Sequence, residues 1–191
     1  MTTFYWVRHG PTHQKNFTGW RDVPADLSDT DAIARLERYL PQDAIVISSD
    51  LLRARTTADA IQGQRQRLGH DANLREFHFG DWDGLHFSEV SEQHPELSRA
   101  YWERPGDVAP PNGESWNQAA ARINTTVDHL IKTFPGQNIV AVAHFGAILT
   151  QVQRGLGVTA YESLAHKIDP LSVTRVALGD RPVVDPINHA P

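Results

Sequence analysis

Cysteine is absent from the 191-residue chain, which excludes disulfides, thiolate metal sites and a cysteine nucleophile. Apolar runs are short. None approaches the roughly 18 residues needed to cross a bilayer. The amino terminus lacks the basic start and long apolar stretch of a signal peptide, so a cytoplasmic protein with no membrane partner is expected. Positive charge is not in excess either: 18 Lys and Arg against 23 Asp and Glu give a net charge of −5 and a pI near 6.0. A broad nucleic-acid footprint is therefore not expected, although a local cationic pocket can stand on that background. The pattern G-x-x-x-x-G-K-[ST] is missing, which removes a Walker-type nucleotide site. Metal-ligand spacing of the H-E-x-x-H kind is missing too, and neither a metal nor a cofactor is expected. The chain holds no internal repeat and no low-complexity tract.

What is present is an ordinary globular balance, with 40% apolar and 21% charged residues. The length suits one sizeable core and falls short of two ordinary domains, so residues 1–191 read as a single domain. Phe4–His9, Ala44–Ser48 and Asn138–Ala143 read as buried strands, and Ser172–Leu178 as a later strand, at an edge or antiparallel. Helices are expected at about Asp29–Tyr39, Leu51–Arg65, Ser115–Phe134 and Ala147–Leu156, the last stopped by Gly155 and Gly157. This alternation predicts an α/β sandwich around a mostly parallel sheet. Residues 85–113, rich in Pro, His, Trp and Glu, interrupt the rhythm and read as a small lid passing over the strand ends.

The chain contains ten histidines, and six of them (His13, His70, His94, His129, His166 and His189) fall in polar stretches that suggest surface positions. Two others are placed differently. "FYWVRHG" is an apolar run that stops on Arg8 and His9, and "NIVAVAHFG" is a second that stops on His144. Open α/β sheets place ligands beyond the carboxyl ends of their strands, so both imidazoles are expected in one crevice. Gly10 and Gly146, shortly after each histidine, permit a sharp turn or a close approach of backbone.

In "SSDLLRARTTADA" a strand ends at Ser48–Ser49, and Asp50 is the expected N-cap of the next helix. Arg53 then falls in the first turn, where the helix dipole disfavours a cation by about 0.3–1 kcal/mol. Either Arg53 or Arg55 pairs with Asp50 or Asp59, or an anion is held there. Beside Arg8 the second reading is the stronger. Two guanidinium forks, two imidazoles and a helix start describe a site for a compact dianion such as a phosphoryl group.

The chain resembles the histidine phosphatase superfamily, the group that includes the cofactor-dependent phosphoglycerate mutases. "VRHGPT" is similar to the superfamily's R-H-G signature, and "SSDLLRARTTA" to its S-x-L-x-R-A-x-x-T-A helix start, which selects Arg53 over Arg55. "LREFHFGDWDG" at 74–84, "GES" at 113–115 and "VAHFG" ending the later strand follow in the expected order. The resemblance implies a three-layer α/β/α sandwich and a phosphohistidine intermediate. By the match, His9 is the nucleophile, Arg8, Arg53 and His144 form the phosphate pocket, and Glu76 is the proton donor. Phe79 and Trp82 would form an apolar wall beneath the site.

Water attacking the intermediate makes a phosphatase; a second phosphoglycerate makes a mutase. "FTGWRDV" at 17–23 resembles the mutases' substrate loop, in which Thr18 and Gly19 would touch substrate, and Asn16 takes the place of a phosphate-contacting asparagine. Against a mutase, Pro11 stands where mutases usually carry Glu, the segment from Gly10 to Phe17 is shorter, and 85–113 has no paired arginines for a carboxylate. Phe145 replaces the usual glycine after the second histidine. The favoured reading is a metal-independent phosphoric monoester hydrolase of the histidine acid type, acting on a small phosphorylated metabolite. A mutase and a catalytically silent phosphoryl-ligand module are the alternatives. Residues 17–24 and 85–112 would set specificity, and a homodimer is left open.

Overall fold

A computed structural model describes every residue from 1 to 191. Strand side chains alternate between the two faces of a sheet, and here both faces are apolar. In β1 (Thr2–Arg8), Phe4 and Trp6 enter one core while Val7 enters the other. The remaining strands are β2 (Ile45–Ser48), β3 (Gln66–His70), β4 (Asn138–Ala143), β5 (Val173–Leu178) and β6 (Val183–Val184). They form one sheet in the order β3-β2-β4-β1-β5-β6. The first four positions are parallel, β5 is antiparallel to β1, and β6 is antiparallel to β5.

Helices cover both faces. α1 (Thr30–Tyr39) and α2 (Leu52–Ile61) bury Leu36, Ala54, Ala58 and Ile61 against Val7, Val46, Val140 and Val142. On the opposite face lie α5 (Trp116–Thr133) and α6 (Phe145–Leu156), which bury Ile123, Val127, Ile148 and Leu149 against Phe4, Trp6, Ile139 and Ala141. The result is the expected three-layer α/β/α sandwich. No helix is long and apolar enough to cross a membrane.

Several expectations need correction. The helix expected over Leu51–Arg65 ends at Ile61, followed by Gly63 at φ +55°. Arg65 is not helical; its buried guanidinium donates to the carbonyls of Leu40 and Ile61, closing the ends of α1 and α2 together. Asp50 is not the N-cap of α2. Leu51 holds that position, Asp22 accepts from Leu52 N–H at 2.6 Å, and Asp50 instead takes both forks of Arg75. β3 gave no sequence signal because it is a polar edge strand, held by backbone pairing to β2. α6 begins at Phe145, not Ala147.

The segment 85–113 carries α3 (Phe87–Gln93), opened by a His86–Glu89 capping box, and α4 (Pro95–Glu103), with Pro95 in its first turn. Their apolar faces form a small third core of Phe17, Trp82, Val90 and Tyr101. A short α7 (Ala160–Ser163) follows α6. None of the six polar-stretch histidines is buried.

The chain leaves β1 toward α1 on one face and leaves the adjacent β4 toward α6 on the other. The carboxyl ends of these two strands are therefore a topological switch point, where a crevice opens. Ile123, fully buried between α5 and the sheet, sets the cost of loosening that layer. Ile123→Ala is expected to lower the unfolding free energy by about 2–5 kcal/mol. Exposed Leu156→Ala should cost under about 0.5 kcal/mol. Urea unfolding curves with unchanged slope check both.

Candidate active site

Parallel pairing aligns Arg8 of β1 with Ala143 of β4, so His9 and His144 each stand one residue beyond the same edge. Their ring centroids are 5.1 Å apart with planes at 59°. His9 Nδ1 lies 2.7 Å from the Gly10 carbonyl oxygen. A carbonyl only accepts, so Nδ1 carries the hydrogen and Nε2 holds the lone pair while the ring is neutral. Burial, and then the nearby Arg53 and Arg8, lower the pKa of His9 from 6.5 to about 3. Burial pushes His144 well down as well, with Arg53 and His9 adding to it. Both ring nitrogens of His144 are buried with no hydrogen-bond partner in the protein.

The two guanidinium groups are fixed through carbonyls. Arg53, 1% exposed, donates from Nη2 to Gly19 at 2.6 Å and from Nη1 to Arg21 at 2.9 Å. It forms no ion pair, and neither does Arg55: Asp50 is bound to Arg75 and Asp59 to Arg67. The remaining N–H groups of Arg53 are thus not spent on a carboxylate. Arg8 donates from Nη1 to the Ile168 carbonyl at 2.6 Å, and its guanidinium lies 5.5 Å from the Phe145 ring centroid.

Glu76 is buried, not a surface partner of Arg75. Its Oε1 accepts from Phe77 N–H at 3.0 Å, and its Oε2 from Gly146 N–H at 3.1 Å. Gly146 lies in the first turn of α6, so the helix start faces the carboxyl group. A Cβ at position 146 would meet Glu76 Oε1 at 2.6 Å, which is why glycine is needed there. Asp81 and Asp83, the other carboxylates nearby, are engaged by Asn112 and Arg21.

Arg8, His9, Arg53 and Glu76 line a cleft of about 260 Å³ together with Asn16, Thr18, Phe79 and Phe145. His144 lies behind His9. Asn16 donates to the Gly84 carbonyl and Thr18 to the Asn16 carbonyl, so both are held as part of the cleft's rim. Gly19 does not line the cleft; its carbonyl is a ligand of Arg53. Phe79 lines the cleft itself, whereas Trp82 is buried behind it. Phe87 and Trp102, from the segment expected as a lid, close one side. No group of three or more His, Asp or Glu residues is placed to hold a metal ion.

Three positioning residues went unread in the sequence. Thr57 accepts from Gly10 N–H at 3.0 Å and donates to the Arg53 carbonyl at 2.7 Å, coupling the His9 turn to α2. Arg122 forms a double fork with Glu114 and donates to the carbonyls of Asn73, Arg75 and Glu76. Trp20 donates to the Glu76 carbonyl at 2.8 Å while lying against Arg75. The signals were Thr57, Glu114 and Trp20 within recognised blocks, the last in "FTGWRDV"; Arg122 is one polar helix residue among many.

The family model of the histidine phosphatase superfamily (branch 1) matches residues 4–185. A bifunctional protein of Mycobacterium tuberculosis is 34% identical over 133 residues, or 68% of this chain, and the match spans only 34% of that protein's length. A 2,3-bisphosphoglycerate-dependent phosphoglycerate mutase of Methylorubrum extorquens is 30% identical over 174 residues, covering 83% of this chain and 82% of the mutase. Among solved structures, a mycobacterial glucosyl-3-phosphoglycerate phosphatase superposes with a TM-score of 0.85 and 26% identity, covering 97% of this chain and 98% of that one.

The depressed imidazole of His9 has a measurable consequence. Above pH 6.5 both folded and unfolded chains carry His9 neutral. Between 6.5 and about 3 the unfolded chain takes up a proton that the folded chain refuses, so stability falls on acidification. From pH 7 to 5 this group alone should cost about 2 kcal/mol. His9→Ala is expected to remove that share of the pH dependence in paired urea titrations.

Proposed function

The chain belongs to branch 1 of the histidine phosphatase superfamily, and from that premise we propose that it is a metal-independent phosphomonoester hydrolase acting through a phosphohistidine on a small phosphorylated metabolite. The observation that carries this reading is the state of His9. Its Nδ1–H is committed to the Gly10 carbonyl, and its neutral ring leaves Nε2 as the nucleophile. Nε2 attacks phosphorus as the bond to the leaving oxygen breaks. Arg8 and Arg53 meet the charge spread over the phosphoryl oxygens. The Gly10 carbonyl stabilises the cationic phosphorylated ring. Glu76 supplies the proton to the leaving oxygen, a service worth typically ~10²–10⁴-fold. Water then attacks phosphorus, the P–N bond breaks, and Glu76 takes the proton back.

His144 fits the same account. Its buried, unpartnered nitrogens require a polar partner, and a phosphoryl oxygen beside His9 is one. The second reading, a mutase, is favoured by the 30% identity to the phosphoglycerate mutase. Hydrolysis is preferred because, apart from Arg8 and Arg53, Lys15 is the cleft's one cation, and no paired arginines stand ready for a substrate carboxylate.

Phosphate release from phosphomonoesters in EDTA is the direct test; isomerisation of 3-phosphoglycerate in the presence of bisphosphoglycerate without hydrolysis would select the mutase. His9→Ala should abolish turnover while vanadate still binds, and substantial residual activity would remove His9 as nucleophile. Glu76→Gln should slow alkyl phosphates by about 10²-fold or more and nitrophenyl phosphate far less, since nitrophenolate leaves without a proton. Equal losses on both esters would place the acid elsewhere.

A further inference from the structure

An ester whose phosphorus lies at His9 must run its alcohol out of the cleft past the side chains of the rim, and the rim is two-sided. One side is polar, with Thr12, Gln14, Lys15 and Asn16. The other is aromatic. Phe87, Trp102 and Phe145 line the cleft, and Trp102 and Phe145 continue outward into an open hollow of about 510 Å³ shared with Tyr161, Leu164 and Ala165, hydrophobic side chains among which only Trp102 and Tyr161 carry a polar group. The same two rings also line a smaller, largely apolar hollow of about 40 Å³ that reaches Glu76.

Three exposed rings gather on this surface. Phe87 is 50%, Trp102 37% and Tyr161 60% exposed, and they are among only seven large hydrophobic residues left in water. Contiguous exposed rings mark a binding surface more often than scattered ones do. They are also held in place: the Phe17 ring packs 4.5 Å from Phe87 and 6.2 Å from Trp102, and Tyr101 lies 5.0 Å from Trp102. Phe145 carries Arg8 on its face, so the apolar path begins at the phosphoryl group itself.

We propose that the site selects phosphomonoesters of aromatic or arylalkyl alcohols, seated on Trp102, Phe145 and Tyr161, over sugar, polyol and carboxylate phosphates. The proposal rests on the hydrolase reading above. Rings of one or two cycles match the hollow by shape and by dispersion, whereas its only side-chain donors are the Trp102 indole N–H and the Tyr161 hydroxyl, and no charged group lines it to meet a carboxylate.

The test compares kcat/KM for ethyl, 2-phenylethyl and glycerol 3-phosphates and for 3-phosphoglycerate. The first three are esters of primary alcohols whose leaving oxygen Glu76 protonates alike, so large differences report recognition. 2-Phenylethyl phosphate is expected to exceed ethyl and glycerol phosphates by roughly 10–100-fold. That preference should shrink by about 5-fold or more in Trp102→Ala and in Tyr161→Ser. Tyr161 is exposed enough that its loss does not threaten folding, and general damage from Trp102→Ala would lower every ester alike and leave the ratio intact. Equal or better turnover of glycerol 3-phosphate or 3-phosphoglycerate overturns the proposal while leaving the hydrolase reading standing. A preference that survives both substitutions also overturns it. Turnover of none of the four removes the hydrolase reading and this proposal with it.

Discussion

The in-register parallel pairing of β1 with β4 is the constraint on which the site depends. With Arg8 opposite Ala143, the residues that follow each strand emerge side by side, and the His9 and His144 rings meet at 5.1 Å. A shift of one residue would turn Phe4 and Trp6 to the wrong core and separate the two imidazoles at once. The apolar alternation that folds the sheet is therefore also what aligns the chemistry. The connections leave these two strands on opposite faces, which opens a crevice between their ends.

Burying two guanidinium groups next to two imidazoles is unfavourable, and the surroundings show how the fold tolerates it. Burial and mutual repulsion are relieved by keeping both histidines neutral. The arginines hand part of their hydrogen bonding to main-chain carbonyls of Gly19, Arg21 and Ile168. The loop that supplies two of those carbonyls is itself pinned, since Asp83 accepts from Gly19 N–H, Arg21 N–H and the Arg21 side chain. Glu76 is held by a separate clamp. Arg122, Glu114 and Trp20 grip the backbone on either side of it, while Oε2 accepts from Gly146 N–H at the start of α6 and Oε1 from Phe77 N–H. The carboxyl group is thus held independently of the two buried guanidinium groups.

This division separates a polar chemical floor from an aromatic entrance. The floor is built from strand ends and helix starts, which are rigid. The entrance comes from α3, α4 and the stretch around α7, with their own small core of Phe17, Trp82, Val90 and Tyr101. Changes in that entrance can reshape the way into the cleft without disturbing His9, because the two parts meet mainly at Phe79 and Phe145.

Much of this was readable in advance. The apolar runs ending on His9 and His144, the glycines after them and the placement of Arg53 in a helix start were local patterns, and local patterns survive in one dimension. They determined the α/β class, the sandwich, and the meeting of Arg8, His9, Arg53 and His144 at one sheet edge, while Glu76 was reached only through the block at 74–84 that resembles the superfamily's. Other features had no local trace. β3 is polar and exists through its pairing with β2. Arg65 stops a helix because carbonyls from two other segments converge on it. Asp50 forsakes the cap for Arg75, and Gly19 serves Arg53 from outside the cleft. The sequence by itself determined which groups are gathered at the strand ends, since residue type and strand period are written there. Only the tertiary structure decided who holds them and what lines the way in, because hydrogen-bond partners and shared apolar surface come from segments distant along the chain.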